Sequence, residues 1–312
     1  MIKYSFYGGV SIVSEYESIK EGERGAWISI LAYVFLAGIK LMISWSAGSD
    51  ALRADGLNNA TDIVASAAVL IGLKISRRPP DHDHQYGHFR AETVAALIAS
   101  LIMTGVGLQV LFSTIQKIIN PMDAAPDMIA AWTAVGCAVI MLAVYRYNHR
   151  LALKINSKAL MAAAKDNRSD AYVSIGAFAG IVGAQLGIPL LDPIAAIIVG
   201  ALILKTAWDI FREATHSLTD GFDEEMIVAF QETVNKTPGV EQVKDIRARF
   251  QGNHVFVDLT VYVDQDLSVK ESHMISDAIE TRLFKNHKIR HVHVHIEPFI
   301  KENSLPSPSS SA

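Results

Sequence analysis

Residues 51–75 read ALRADGLNNATDIVASAAVLIGLKI. A helix of that length spans the ~30 Å hydrocarbon core of a bilayer, and most of the side chains are apolar. Yet Asp55, Asn58, Asn59 and Asp62 lie within it. Residues 159–186 repeat the anomaly: ALMAAAKDNRSDAYVSIGAFAGIVGAQL carries Asp166, Asn167, Arg168 and Asp170. Ionisable groups inside a membrane span are costly, and such positions mark function. These two stretches make the chain a membrane protein with polar chemistry built into its spans.

Outward from them lie four more apolar stretches, at about residues 27–47, 91–119, 128–147 and 190–210. Turn chemistry separates the six: Gly48-Ser49, Arg78-Pro79-Pro80, Asn120-Pro121 and Gly187-Ile188-Pro189. Lys74, Arg77, Arg78 and Arg90 surround the second connection, and Arg146, Arg150, Lys154 and Lys158 the fourth. The odd-numbered connections carry little positive charge. The excess of Lys and Arg puts the second and fourth connections and both termini in the cytoplasm, with six crossings of the plasma (inner) membrane. Residues 1–26, rich in Glu and without a sustained apolar core, read as a cytoplasmic N-terminal segment and not as a cleavable signal.

The bulk numbers agree. Half of the 312 residues are hydrophobic and 19% are charged, and mean hydropathy is +0.25. The net charge of -4 gives no electrostatic footprint for nucleic acid. One cysteine, Cys137, excludes a disulfide framework or a cysteine zinc site within the chain, and it reads as a small buried hydrophobe.

Beyond about Thr215 the pattern changes. Asp223–Lys236 reads as an amphipathic helix, Val240–Phe250 and Val255–Val263 as strands, Ser268–Phe284 as a helix and Val292–Ile296 as a period-two strand. That α-β-β-α-β order predicts a small α+β domain with an antiparallel or mixed sheet. The expected organisation is a cytoplasmic segment at 1–26, a six-helix transmembrane domain at 27–214 and a cytoplasmic α+β, ferredoxin-like domain at 215–300. A disordered Ser/Pro-rich tail follows at 301–312.

Asn58 with Asp62, and Asp166 with Asp170, are each four apart and share a helix face. At 1.5 Å per residue, Asn58 and Asp62 lie about 10 and 16 Å below the outer surface. Asp170 and Asp166, on an antiparallel helix, lie about 9 and 15 Å below it. The two pairs are level. Face to face they surround one point with oxygen donors, and three carboxylates there repel unless a cation or protons compensate. Asp55 and Arg53 are expected nearer the outer surface, facing water, and Lys40 is expected to snorkel or to pair with an acid.

With these features the chain resembles the cation diffusion facilitator family over nearly its whole length. Asp81-His82-Asp83-His84-Gln85-Tyr86-Gly87-His88-Phe89-Arg90-Ala91-Glu92 is similar to the family's loop between the second and third helices. The resemblance implies a homodimer in the lipid bilayer that exports a divalent metal from the cytoplasm in exchange for protons, a secondary transporter and not an enzyme. Zinc-transporting relatives place histidine in the fifth-helix pair and often in the second. Here those positions are Asp166 and Asn58. Carboxylate and carbonyl donors suit Mn²⁺, Mg²⁺ or Ca²⁺, whereas imidazole suits zinc, so the set is most like the manganese-transporting bacterial members. Mn²⁺ is the expected cargo, and a zinc or broad-range (Zn, Fe, Co, Cd) exporter is the alternative.

The resemblance further implies a loop metal site at Asp81, His84 and His88, for which the other reading is a solvated loop. It implies a cytoplasmic metal site at the dimer interface involving His273, His295 and Glu297, with Asp258 where relatives place histidine. Lys244 occupies another ligand position and cannot coordinate while protonated. Arg90 and Asp220 resemble a charge pair that locks membrane and cytoplasmic parts together. Two rival classes are weighed. An intramembrane metalloprotease needs a His-Glu-x-x-His pair in a span, and the sequence has none. A metal sensor that transports nothing is separated from a transporter by metal efflux.

Overall fold

The computed structural model describes residues 12–120, 125–155, 158–252 and 254–300. The expectations for the first eleven residues and for the 301–312 tail lie outside them. Six long helices come first: α1 (Ile12–Ala47), α2 (Asp50–Ser76), α3 (Ala91–Ile119), α4 (Met128–Ile155), α5 (Lys158–Gln185) and α6 (Leu191–Leu218). Then follow α7 (Glu224–Asn235), β1 (Gln242–Gln251), β2 (His254–Asp264), α8 (Val269–His287) and β3 (His291–Phe299). The chain divides into two compact units. One runs to Ala68 and resumes at Ile98–Asp209; the other joins Val69–Leu97 to the residues from Ile210 onward.

Among the described residues, five helices are long and apolar enough to cross a membrane: α2, α3, α4, α6 and the part of α1 from Trp27. The remaining one, α5, matches them with 28 residues. Its apolarity is broken by Lys165, Asp166, Arg168 and Asp170, the last three of which made it conspicuous in the sequence. The outward faces carry Leu31, Phe35, Trp45, Phe112, Trp132 and Ile198, all exposed. In water such a surface would aggregate; in lipid it needs no partner. Inside the first unit, small side chains set the spacing. Ala47, Ala51, Ala130, Ala131, Ala134 and Ala177 pack as one cluster, as expected where helix contact depends on close backbone approach. A Cβ on Gly180 would stand 2.6 Å from that of Ala195, so α5 and α6 touch only because that residue is glycine.

One contact fixes the start of α2. Asp192, in the first turn of α6, accepts the Asp50 N–H at 2.7 Å, the Ser49 hydroxyl at 2.6 Å and the Ala51 N–H at 3.3 Å. These satisfy amide groups that a helix start otherwise leaves unpaired.

In the second unit the α-β-β-α-β order holds. The sheet is mixed, in the order β1-β2-β3, with β2 antiparallel to β1 and parallel to β3. Val257, Leu259, Val261 and Val263 alternate along β2 and are buried with Phe230 and Val234 of α7 and Ile279 and Leu283 of α8. That period of two puts every second β2 side chain under the helices. Asp223 caps α7 through the Glu225 N–H. Ser268 and Glu271 form a reciprocal capping box at the start of α8. Helix starts at Asp223 and Ser268 were therefore readable to the residue.

Candidate transport site and accessory metal groups

The two pairs on α2 and α5 meet. Asn58 donates its Nδ2–H to Asp170 Oδ1 at 3.1 Å. Tyr33 of α1 donates its O–H to the other oxygen, Oδ2, at 2.8 Å. Asp62 lies close enough to Asp170 and Asp166 to interact with the charges of both. Its Oδ2 is buried without a hydrogen-bond partner. A buried carboxylate oxygen without a donor carries an uncompensated desolvation cost; a divalent cation would remove it. Asp166 is exposed, whereas Asp170 is 8% exposed, so the group grades from open to closed along α5. Arg168 does not serve as counter-charge. Its guanidinium lies 5.6 Å from the centre of the Tyr145 ring. Tyr33, Leu36, Cys137, Met141 and Ala171 form one buried cluster with Ile63 packed against it, beside these acids. Cys137 is the small buried hydrophobe expected of it.

One turn nearer the start of α2 lies a second polar group, and here the sequence reading needs correction. Asp55 does not face water: it is fully buried and bonded to Lys40 Nζ at 2.8 Å. Of the two courses expected for Lys40, snorkelling and pairing with an acid, it takes the second. It is 0% exposed, and its ammonium also donates to Asn59 Oδ1 at 2.6 Å and Ser174 Oγ at 3.0 Å. Helix periodicity explains the difference. Asp55, Asn59 and Asp62 recur along one face of α2 and Asp166, Asp170 and Ser174 along one face of α5, so a single polar stripe runs between the helices. Depth alone suggested water; direction puts Asp55 inside.

In the second unit, the loop trio closes on itself. His84 Nδ1 is 3.2 Å from Asp81 Oδ1, and His88 Nε2 is 3.3 Å from Asp81 Oδ2. The two imidazole centres are 4.4 Å apart. Among the described residues, these three are the one group of His, Cys, Asp or Glu with ligand atoms all within 4.8 Å of one another. The loop builds this locally. The His84 backbone N–H donates to Asp81 Oδ1 at 2.7 Å and the Asp83 N–H at 3.1 Å. Gly87, at φ +83, supplies the left-handed turn before His88. The His84 N–H holds the Asp81 carboxyl below the usual carboxylate range, so the carboxylate form is the resident one. His82 points to solvent.

Arg90 and Asp220 form an ion pair at 2.6 Å. The cytoplasmic set does not converge within one chain. Glu297 accepts Lys244 at 2.6 and 2.8 Å, and that bond raises the lysine above its usual range. Asp258 pairs with Arg249 at 3.0 Å. His295 is 3.8 Å from Glu297. Asp258, His273, His295 and Glu297 thus form no such group among the described residues. The exposed positions 291, 293 and 295 of β3 alternate with half-buried Val292, Val294 and Ile296, as the period-two reading required.

Tyr33 and Ser174 were missed by sequence reading. A signal existed. Ser29, Tyr33, Lys40 and Ser44 fall on one helical stripe of α1, and all four are buried. An apolar span with its polar residues confined to one stripe is turning that stripe inward.

Comparison with known proteins agrees with this architecture. Residues 26–219 match the family model described as the cation efflux transmembrane domain, and residues 222–299 the one described as the cation efflux protein cytoplasmic domain. The manganese efflux system protein MneS of Bacillus subtilis (strain 168) is 57% identical, covering 92% of this chain and 99% of its own length. The uncharacterized transporter YdbO of the same organism is 52% identical over 90% of this chain and 97% of its own. The manganese efflux system protein MneP is 30% identical over 93% of this chain and all of its own.

Proposed function

The chain belongs to the cation efflux family, a family of membrane-embedded metal efflux transporters and not of enzymes, and from that premise we propose that it exports Mn²⁺ from the cytoplasm by exchange for protons. Its family-typical cytoplasmic domain points to a homodimer. The observation that carries the manganese reading is the donor set. Asn58, Asp62, Asp166 and Asp170 offer oxygen only, and one of those oxygens, Asp62 Oδ2, is buried with nothing bonded to it. Oxygen donors favour Mn²⁺ over zinc, for which imidazole is the better partner. That MneS and MneP are named as manganese efflux system proteins supports the same ion.

The cycle follows from charge. With both termini in the cytoplasm of a plasma-membrane protein, Asp166 is the carboxylate nearer the inside, and it is the exposed one. An ion enters past Asp166, and Asp62 and Asp170 complete its shell. When the site faces outward, protons compete for the same oxygens and the ion leaves. The protonated carboxyls carry no net charge back across, which is what allows the empty site to return. Tyr33 and Asn58 hold Asp170 in place with one N–H and one O–H, donors that survive either charge state.

The test is flux into proteoliposomes under an imposed proton gradient. Wild type is expected to move Mn²⁺ in preference to Zn²⁺ and to move protons the other way. Zn²⁺ flux without Mn²⁺ flux would move the assignment to a zinc exporter. Metal flux insensitive to the proton gradient would remove the antiport.

A further inference from the structure

Lys40 is the largest side chain wholly buried in the described structure. Its three ammonium protons meet three oxygens: Asp55 Oδ1 at 2.8 Å, Asn59 Oδ1 at 2.6 Å and Ser174 Oγ at 3.0 Å. The ammonium has no further donor to give. The acceptors come from α2 and α5, the helices that carry Asn58, Asp62, Asp166 and Asp170, and they continue the same polar stripe. The charge of Lys40 also reaches Asp62 and Asp170.

Packing alone does not account for this group. A buried ion pair is no more stabilising than apolar side chains of the same volume, and a lock built for rigidity satisfies all of its polar atoms. Here Asp55 Oδ2 is buried and unpartnered. The free Asp55 oxygen points to a cation site using one ligand fewer than it holds. We propose that Asp55, Asn59 and Ser174 form a second intramembrane cation site, one helical turn from the first, and that the Lys40 ammonium fills it as a tethered ion.

The consequence is specific to transport, and it rests on the reading of Asn58, Asp62, Asp166 and Asp170 as the transport site. Without Lys40, an ion leaving that site along the stripe would meet a carboxylate, an amide oxygen and a hydroxyl, a hard-donor set of the kind manganese takes. It would stop again. With Lys40 in place the ion meets an immobile positive charge. The path holds one metal ion at a time, and the stripe is denied to a second.

Equilibrium Mn²⁺ binding to the purified full-length chain, followed by loss of the free-Mn²⁺ electron spin resonance signal, tests this. Lys40→Ala and Lys40→Gln should each bind one more Mn²⁺ per chain than wild type. Lys40→Ala/Asp55→Asn should return to the wild-type number. If Lys40→Ala folds only with Mn²⁺ present, and Lys40→Ala/Asp55→Asn folds without it, the result also supports the site. A folded Lys40→Gln with wild-type stoichiometry overturns the proposal, and so does an extra ion that persists without Asp55. Asp166→Asn, measured in parallel, reports separately on the transport site. Loss of one ion there with no gain at Lys40→Gln sinks the second site alone; no loss there sinks the first.

Discussion

In the loop at residues 81–88, three potential ligand atoms stand within 4.8 Å of one another. On α2 and α5, the carboxylates of Asp62, Asp166 and Asp170 are brought to the same level but not drawn together to that degree. The loop trio is two imidazoles and a carboxylate, exposed except for half-buried His88, and shaped by its own backbone. The intramembrane group is oxygen-only and is held by three different helices, α1, α2 and α5. A group closed in advance costs little to fill and is slow to empty, which suits a resident ion. A group assembled from separate helices opens when the helices part, which suits an ion in transit. The donor chemistry divides in the same way, histidine outside the spans and carboxylate within.

The largest effect expected to probe this contrast is at Asp170. Asp170→Asn removes the charged acceptor of both Tyr33 and Asn58, and Mn²⁺ flux in proteoliposomes should fall on the order of 100-fold or more. If the loop trio holds Zn²⁺, its affinity should be unchanged in the same protein. Flux above half of wild type would erase the distinction between the two regions. Next comes Asp166→His, which brings the loop's chemistry into the membrane. The ratio of Zn²⁺ to Mn²⁺ flux should rise by about tenfold; a constant ratio would mean that donor type at this position does not select the ion.

A smaller effect is expected when the loop is broken instead. His84→Ala should weaken Zn²⁺ binding there by about 10- to 100-fold, read by competition with a zinc dye. Mn²⁺ flux should stay within about twofold of wild type, because no transport-site ligand is touched. The smallest effect concerns a histidine outside both groups. His291 stacks on Phe256 at 4.3 Å and contacts Phe89 and His254. Partial desolvation against the neighbouring rings, then the charges of His254 and Arg290, hold its imidazole below the usual histidine range although its edge is exposed. The folded state therefore favours neutral His291. That contribution is full above about pH 6.5 and is lost as pH falls through the lowered value. Amide exchange in β3, corrected for intrinsic rate, should quicken between about pH 7 and 5.5 in wild type, and less in His291→Phe. Equal acceleration in both would assign the pH effect to another group.

Much of this is legible in the amino-acid sequence. Spacing by four made the Asn58–Asp62 and Asp166–Asp170 faces readable, because a helix repeats that way whatever surrounds it. The α+β unit was readable because β2 alternates and both helix starts carry capping side chains. That Lys40 would pair with an acid was an expectation; that the acid is Asp55 was not readable. The pair joins two helices through their facing, and facing is a property of the packed bundle that neither helix holds alone. Sequence depth placed Asp55 near water for the same reason. The cytoplasmic ligand set resisted for another reason. Period two puts His295 and Glu297 on one strand, but it does not reveal that Lys244 takes up the Glu297 carboxylate.

The Asp192 contact bears on how the membrane unit can work. A helix whose first turn is stapled to α6 by three hydrogen bonds has lost the freedom to slide along its own axis. What remains is to swing about that turn, as a lever swings about its fulcrum. Asn58 and Asp62 lie about 12 and 18 Å along the arm, so any tilt carries Asp62 about half again as far as Asn58. The residue with the longer throw is the one with the unbonded carboxylate oxygen. The ammonium of Lys40 is moored partway along the same arm, to Asp55 and Asn59, about 8 and 14 Å from the fulcrum.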